Sequence, residues 1–138
     1  MLYNPGDILF QKYRIEELTG QGGFAKVYRV THLDLNVERA LKILNRDAPG
    51  IGSSEYSNFR QRFKIEAQLG AQLNTPTPHP NLLQVHNFQQ RDDLLILEME
   101  YAPGKSLADW IDWVREKKKP IPIDKVIKIG IDVASGLA

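Results

Sequence analysis

Gly20-Gln21-Gly22-Gly23 stands between two segments that favour extended backbone, with no helix-period pattern on either side. Before it, Tyr13 to Thr19 alternates loosely; after it, Phe24 to His32 carries the β-favouring Phe24, Val27, Tyr28, Val30 and Thr31. Glycines so placed turn the chain back on itself. The segment therefore predicts strand-turn-strand and argues against folds in which a glycine loop opens directly into a helix. Leu33 to Asn36 reads as the next connection. Val37, Arg39, Leu41 and Ile43 then share one strand face, and Ala40, Lys42 and Leu44 the other. Residues 45 to 58 show no apolar period and read as a flexible connection.

From Phe59 the apolar Phe59, Phe63, Leu69 and Leu73, with the small Gly70, fall on one side of a helix turning about 100° per residue. Pro76, Pro78 and Pro80 forbid its continuation. Two more strands are predicted, Leu82 to Phe88 and Leu94 to Met99, joined across Arg91-Asp92-Asp93. Past Pro103-Gly104 the period becomes helical at Leu107, Trp110, Ile111 and Val114, and Ser106-x-x-Asp109 outlines a capping box. A last helix carries Ile123, Val126, Ile127, Ala134 and Leu137, and its apolar face has nothing downstream to cover it. The order is five strands with one inserted helix, then two helices: an α+β chain.

The charge balance narrows the function classes. Lys+Arg 18 against Asp+Glu 17 leaves +1 on 138 residues, so no nucleic-acid partner is expected. Cys 0 excludes a disulfide framework, a thiolate metal site and a cysteine nucleophile, and favours a reducing cytoplasm. The longest apolar run, Leu94 to Leu97, is far short of the roughly 18–20 residues that span a bilayer, so no membrane contact is expected. His32, His79 and His86 are too scattered to predict a metal site. Lys117-Lys118-Lys119 reads as a solvated helix end.

A glycine cluster alone is better explained by a plain hairpin turn than by a phosphate cradle, by about two to one. Because a strand follows it, and because a Gly-Lys-Ser/Thr ending is absent, the pattern Gly20-x-Gly22-x-x-Ala25-x-Val27 fits a hairpin flap over a nucleotide best. Two misplaced charges support this. On the helix wheel Glu66 falls about 20° from Phe59, inside the apolar stripe, so a carboxylate is expected to face the core. Lys42 sits between Leu41 and Ile43. Each could snorkel to water, but an ionised carboxylate left alone in a core costs several kcal/mol, so Glu66 needs a cation and Lys42 matches it.

In order along the chain come Gly20-Gln21-Gly22-Gly23-Phe24-Ala25-Lys26-Val27-Tyr28, Arg39-Ala40-Leu41-Lys42-Ile43, Phe63-Lys64-Ile65-Glu66-Ala67, His79-Pro80-Asn81-Leu82, Glu98 to Gly104 and Ser106-Leu107. Together they resemble the amino-terminal part of a eukaryotic-type serine/threonine protein kinase domain. The resemblance implies a small lobe of a five-stranded antiparallel sheet plus one helix over residues 13–102, after an extension of residues 1–12. The large lobe would begin at 103–138 and be truncated there. It implies ATP as cofactor, with Gly20, Gln21, Gly22, Gly23, Phe24 and Ala25 over the phosphates. Lys42 would hold the α- and β-phosphates, oriented by Glu66. Val27, Ala40 and Met99 would line the adenine slot, and the Glu100 carbonyl and Ala102 amide would read the adenine edge.

Departures are visible. Ala25 replaces the third glycine, Thr19 stands where an aliphatic contact is common, and the connection between Lys42 and Glu66 is long. The resemblance places the catalytic loop and the Mg²⁺ ligands beyond Ala138, so the 138-residue chain alone is expected to be inactive and to be part of a longer one. The expected partners are ATP, a protein substrate and the remainder of the large lobe. A non-catalytic nucleotide-sensing or interaction half-domain is the alternative.

Overall fold

In the computed structural model of the chain, residues 3–22, 24–45 and 52–138 are described. Six strands form one antiparallel sheet in the order β1-β2-β3-β4-β6-β5: β1 (Ile8–Leu9), β2 (Tyr13–Gln21), β3 (Ala25–His32), β4 (Val37–Asn45), β5 (Val85–Arg91) and β6 (Leu94–Met99). Helix α1 (Ser53–Leu73) connects β4 to β5, and α2 (Leu107–Glu116) and α3 (Ile123–Leu137) follow the sheet. The α+β architecture expected from the sequence is present, with one strand more than expected.

The extra strand lies within the residues read as an N-terminal extension. β1 pairs with β2 through Ile8–Arg14 and Leu9–Tyr13, and the turn between them places Phe10 and Gln11 at φ 53° and 57°. Such two-residue turns ordinarily announce themselves by Asn-Gly, since left-handed backbone costs other residues about 1–2 kcal/mol each. Here Phe10 packs against the core and stacks under the Arg91 guanidinium at 4.8 Å, which offsets that cost.

Strand parity divides the core in two. On one face Tyr13, Ile15, Tyr28, Val30, Leu41, Ile43 and Ile96 are buried, covered by Tyr3, Leu9 and Phe10. Glu98 is buried among them, where its carboxylate accepts a 2.6 Å hydrogen bond from Tyr13 Oη and lies 3.5 Å from Arg39 Nε. On the other face Ala40, Leu44, Leu95, Leu97 and Met99 pack against Phe63 and Ala67 of α1.

The largest differences from expectation are two element starts and one helix face. α1 starts at Ser53, not near Phe59, so residues 53–58 are helical. Glu55 Oε2 accepts from the Gly52 amide at 3.3 Å, and Tyr56 packs against the α1-side core, which together seat a turn that the polar run had hidden. The part of that expected flexible connection from residue 46 to 51 lies outside the described residues. β5 starts at Val85, not Leu82. The inward face of α1 also differs: Phe63, Ala67 and Gly70 meet the sheet, whereas Leu69 and Leu73 are 51% and 60% exposed. Small residues on the seam let the helix lie close to β5, and that closeness sets its rotation.

α2 begins at the capping box expected from sequence: Ser106 Oγ accepts from the Asp109 amide at 3.1 Å, and Asp109 Oδ2 accepts from the Ser106 amide at 3.3 Å. The Ser106 hydroxyl, donating to Asp109 Oδ2 at 2.6 Å, and then the Ser106 amide hold the Asp109 carboxyl below the usual aspartate range. Gly104 precedes it at φ +100°, a conformation that favours glycine. α3 is tied to the α1–β5 connection, where Asn81 Nδ2 donates to the Asp132 carbonyl at 2.8 Å and Ser135 Oγ lies 3.5 Å from His79 Nε2.

Candidate functional site

β3, β4 and β6 form the floor of a cleft beneath α1 and the glycine hairpin. Lys42 stands at the centre of β4, in register with Val27 of β3 and Leu97 of β6, on the same face as Ala40 and Leu44. From there Lys42 Nζ donates to both carboxylate oxygens of Glu66, at 2.7 and 2.8 Å. The cation partner expected for Glu66 is present. The expectation that Glu66 faces the core is not met: its side chain is 52% exposed and that of Lys42 26%. The rotation of α1 set by Phe63, Ala67 and Gly70 moves Glu66 about 60° from the seam centre, to the cleft side. At that exposure the pair adds at most about 1 kcal/mol of stability, so its consequence is the position of the ammonium rather than fold stability.

The glycine hairpin roofs this pair. Gly20 pairs with Val27 and Gln21 with Lys26, and the Gly22 amide donates to the Ala25 carbonyl at 2.9 Å. Gly23, expected at the same turn, lies outside the described residues. The Phe24 ring stacks on Phe59 of α1, with centroids 3.6 Å apart and planes at 26°. Beneath lies a cavity of about 420 Å³ whose walls include Gly20, Gly22, Ala25, Lys42, Arg62 and Glu66. Gln21, Phe24 and Val27 complete the sequence-derived residues on this side.

A second cavity of about 470 Å³ lies on the β6 side, bounded by Thr19, Val27, Ala40, Met99, Glu100 and Ala102. Val27 belongs to both walls, so the two cavities adjoin. Thr19 Oγ1 donates to the Val27 carbonyl at 3.1 Å, so its hydroxyl adds no unpaired polar group to this wall. The chain leaves β6 tied down at Glu100, whose amide donates to the Gln84 carbonyl at 2.8 Å. Ala102, two residues on, lines this cavity and makes no hydrogen bond among the described residues.

The sequence-derived residues thus separate into a charged, glycine-roofed half and an apolar half with backbone groups at its rim. Four further residues of the glycine-roofed wall, Leu44, Phe59, Arg62 and Phe63, were not anticipated. Arg62 had one signal, since it precedes Glu66 by one helical turn and so shares its side of α1. Among the described residues no group of three or more His, Asp or Glu side chains comes together to hold a metal ion. No described helix is long and apolar enough to cross a membrane.

Residues 13–138 match the protein kinase domain family. A probable serine/threonine-protein kinase of Clostridium perfringens is 34% identical over 135 residues, which cover 96% of this chain and 17% of the relative. The serine/threonine-protein kinase pkn3 of Myxococcus xanthus is 33% identical over 134 residues, 96% of this chain and 22% of that protein. The crystal structure of the Mycobacterium tuberculosis PknI kinase domain superposes with a TM-score of 0.69 at 27% identity, covering 99% of this chain and 51% of that one. The chain therefore spans about a fifth of these curated relatives and half of the solved domain.

Proposed function

Because this chain belongs to the protein kinase domain family, we propose that it forms the nucleotide-binding front of a serine/threonine kinase, which transfers the ATP γ-phosphate to protein hydroxyls. In this reading residues 13–102 are the small lobe and residues 103–138 open the large lobe. The adenine lies between Val27, Ala40 and Met99, with the Glu100 carbonyl and the Ala102 amide at its edge. The polyphosphate runs toward Lys42 under the hairpin, where backbone amides and the ammonium offset its charge. Glu66 keeps the flexible lysine pointed into the cleft, so less ordering remains to be done when ATP arrives. Mg²⁺ would supply positive charge against the phosphates and would be held by residues C-terminal to this segment. During transfer the bond from the γ-phosphorus to the bridging oxygen breaks, the hydroxyl oxygen takes its place, and the hydroxyl proton passes to an acceptor in the large lobe.

The observation that carries the reading is the Lys42–Glu66 contact at 2.7 and 2.8 Å beneath a glycine hairpin. The names of the relatives support serine and threonine as acceptors. Cys 0 and the near-neutral charge support a cytoplasmic segment without a nucleic-acid partner. Nothing in the geometry favours the non-catalytic alternative. The test is Lys42→Met in the full-length protein carrying this segment. Phosphate transfer to serine and threonine is expected to fall at least about a hundredfold, with the fold retained. Transfer at the parental rate would remove the role given to Lys42.

A further inference from the structure

Three charged side chains line the cavity under the glycine hairpin: Lys42, Glu66 and Arg62. The first two are engaged with each other at 2.7 and 2.8 Å. Arg62 has no hydrogen-bond or ion-pair partner among the described residues, although Arg60, two positions earlier, donates to Gln90 at 2.8 Å. Lys42 and Glu66 cancel formally, so the net positive charge of this wall resides in the Arg62 guanidinium. Residues four apart on a helix lie about 40° from one another, so Arg62 and Glu66 occupy the same side of α1, one turn apart. The residues also follow a spatial order. Met99 and Ala102 bound the far cavity, Val27 is shared, and Lys42 and Arg62 both stand in the wall of the cavity away from the adenine slot.

From this placement we infer that Arg62 is a phosphate-binding residue, whose guanidinium takes the terminal phosphate of the nucleotide, the end farthest from the adenine slot. The inference rests on the reading of the two adjoining cavities as one nucleotide site. A guanidinium suits this task because its fork of N–H donors matches phosphate oxygens and its charge persists at every physiological pH. Lys42, whose ammonium is already shared with a carboxylate, leaves that position to another cation.

The test compares Arg62→Gln and Arg62→Lys with the parent in the full-length, phosphatase-treated protein, using calorimetric affinities for MgATP, MgADP and adenosine. Glutamine and lysine are both good helix formers at an exposed position, so folding is expected to be unaffected. Arg62→Gln should weaken MgATP by about tenfold or somewhat more, the lower end for one charge-assisted contact, leave adenosine unchanged and lessen the salt dependence of ATP binding. Arg62→Lys should restore most of the loss, and MgADP should be affected less than MgATP. Equal weakening of ATP and adenosine, or no weakening of either, would overturn the role of Arg62 while leaving the nucleotide site intact. A parent that binds ATP no better than adenosine would remove the nucleotide reading itself. An effect seen only before phosphatase treatment would assign Arg62 to a phosphorylated side chain and overturn the terminal-phosphate assignment.

Discussion

Tyr13 is fully buried, and its hydroxyl donates at 2.6 Å to Glu98, a carboxylate one residue before Met99 in β6. The opposite oxygen of Glu98 lies 3.5 Å from Arg39 Nε. A hydrogen bond to a buried charged group is worth about 1.5–3 kcal/mol, so Tyr13→Phe is expected to lower unfolding stability by that amount in a urea titration. The pH dependence has a definite sign. Burial foremost, and then the bond to Glu98, hold the Tyr13 phenol well above its ordinary value. Above about pH 10 the unfolded chain loses this proton while the folded chain keeps it, so the contribution is complete below pH 10 and is lost as the pH rises. The fall in urea midpoint between pH 9 and 11 should be smaller in Tyr13→Phe; equal slopes would sink the assignment. Single residues were unevenly legible. Lys42 and Glu66 were found because a charge among apolar neighbours demands a partner. The exposure of Glu66 and the placement of Arg62 were not, since both follow from a helix rotation decided by packing.

That rotation is decided where α1 meets β5. A Cβ on Gly70 would come 2.5 Å from Val85 Cγ2, closer than real contacts allow. Gly70→Ala gains about 1 kcal/mol of helix propensity, whereas overpacking of this kind costs about 1–3 kcal/mol. A net loss of about 1 kcal/mol is therefore expected, measured by thermal or urea unfolding. In a Val85→Ala background the same change should become neutral or stabilising, and a loss of unchanged size there would rule out the clash. The elements show why sequence reading succeeded and where it stopped. Strand alternation and proline punctuation located β2, β3, β4, β6 and α1 to within a few residues, apart from the helix start. β1 escaped because Phe10-Gln11 lacks the residues that ordinarily mark its turn. The first turns of α1 escaped because Glu55 and Tyr56 act through contacts made in space rather than through an apolar period.

Across the whole molecule, burial is lopsided. The sheet and α1 enclose the core, while α3 leaves Ile123 73%, Ile131 61% and Leu137 82% exposed, and among the described residues its polar ties to the sheet side run through His79 and Asn81. This apolar face was legible from its spacing, and so was the lack of anything to cover it within these residues. A fragment of residues 1–138 produced alone is expected to bind hydrophobic dye and to self-associate in light scattering, more than the same fragment with Ile123, Ile131 and Leu137 changed to Ser. A monodisperse, dye-negative parent fragment would contradict this. The stacked rings of Phe24 and Phe59 carry a consequence on the same scale. They fasten the roof of the cleft to the helix that carries Glu66, so in the proposed nucleotide site a molecule wedged between the rings would loosen the roof and the Lys42 contact together. By reciprocity, whatever factor the nucleotide contributes to seating α1, an inward push on α1 returns to nucleotide affinity.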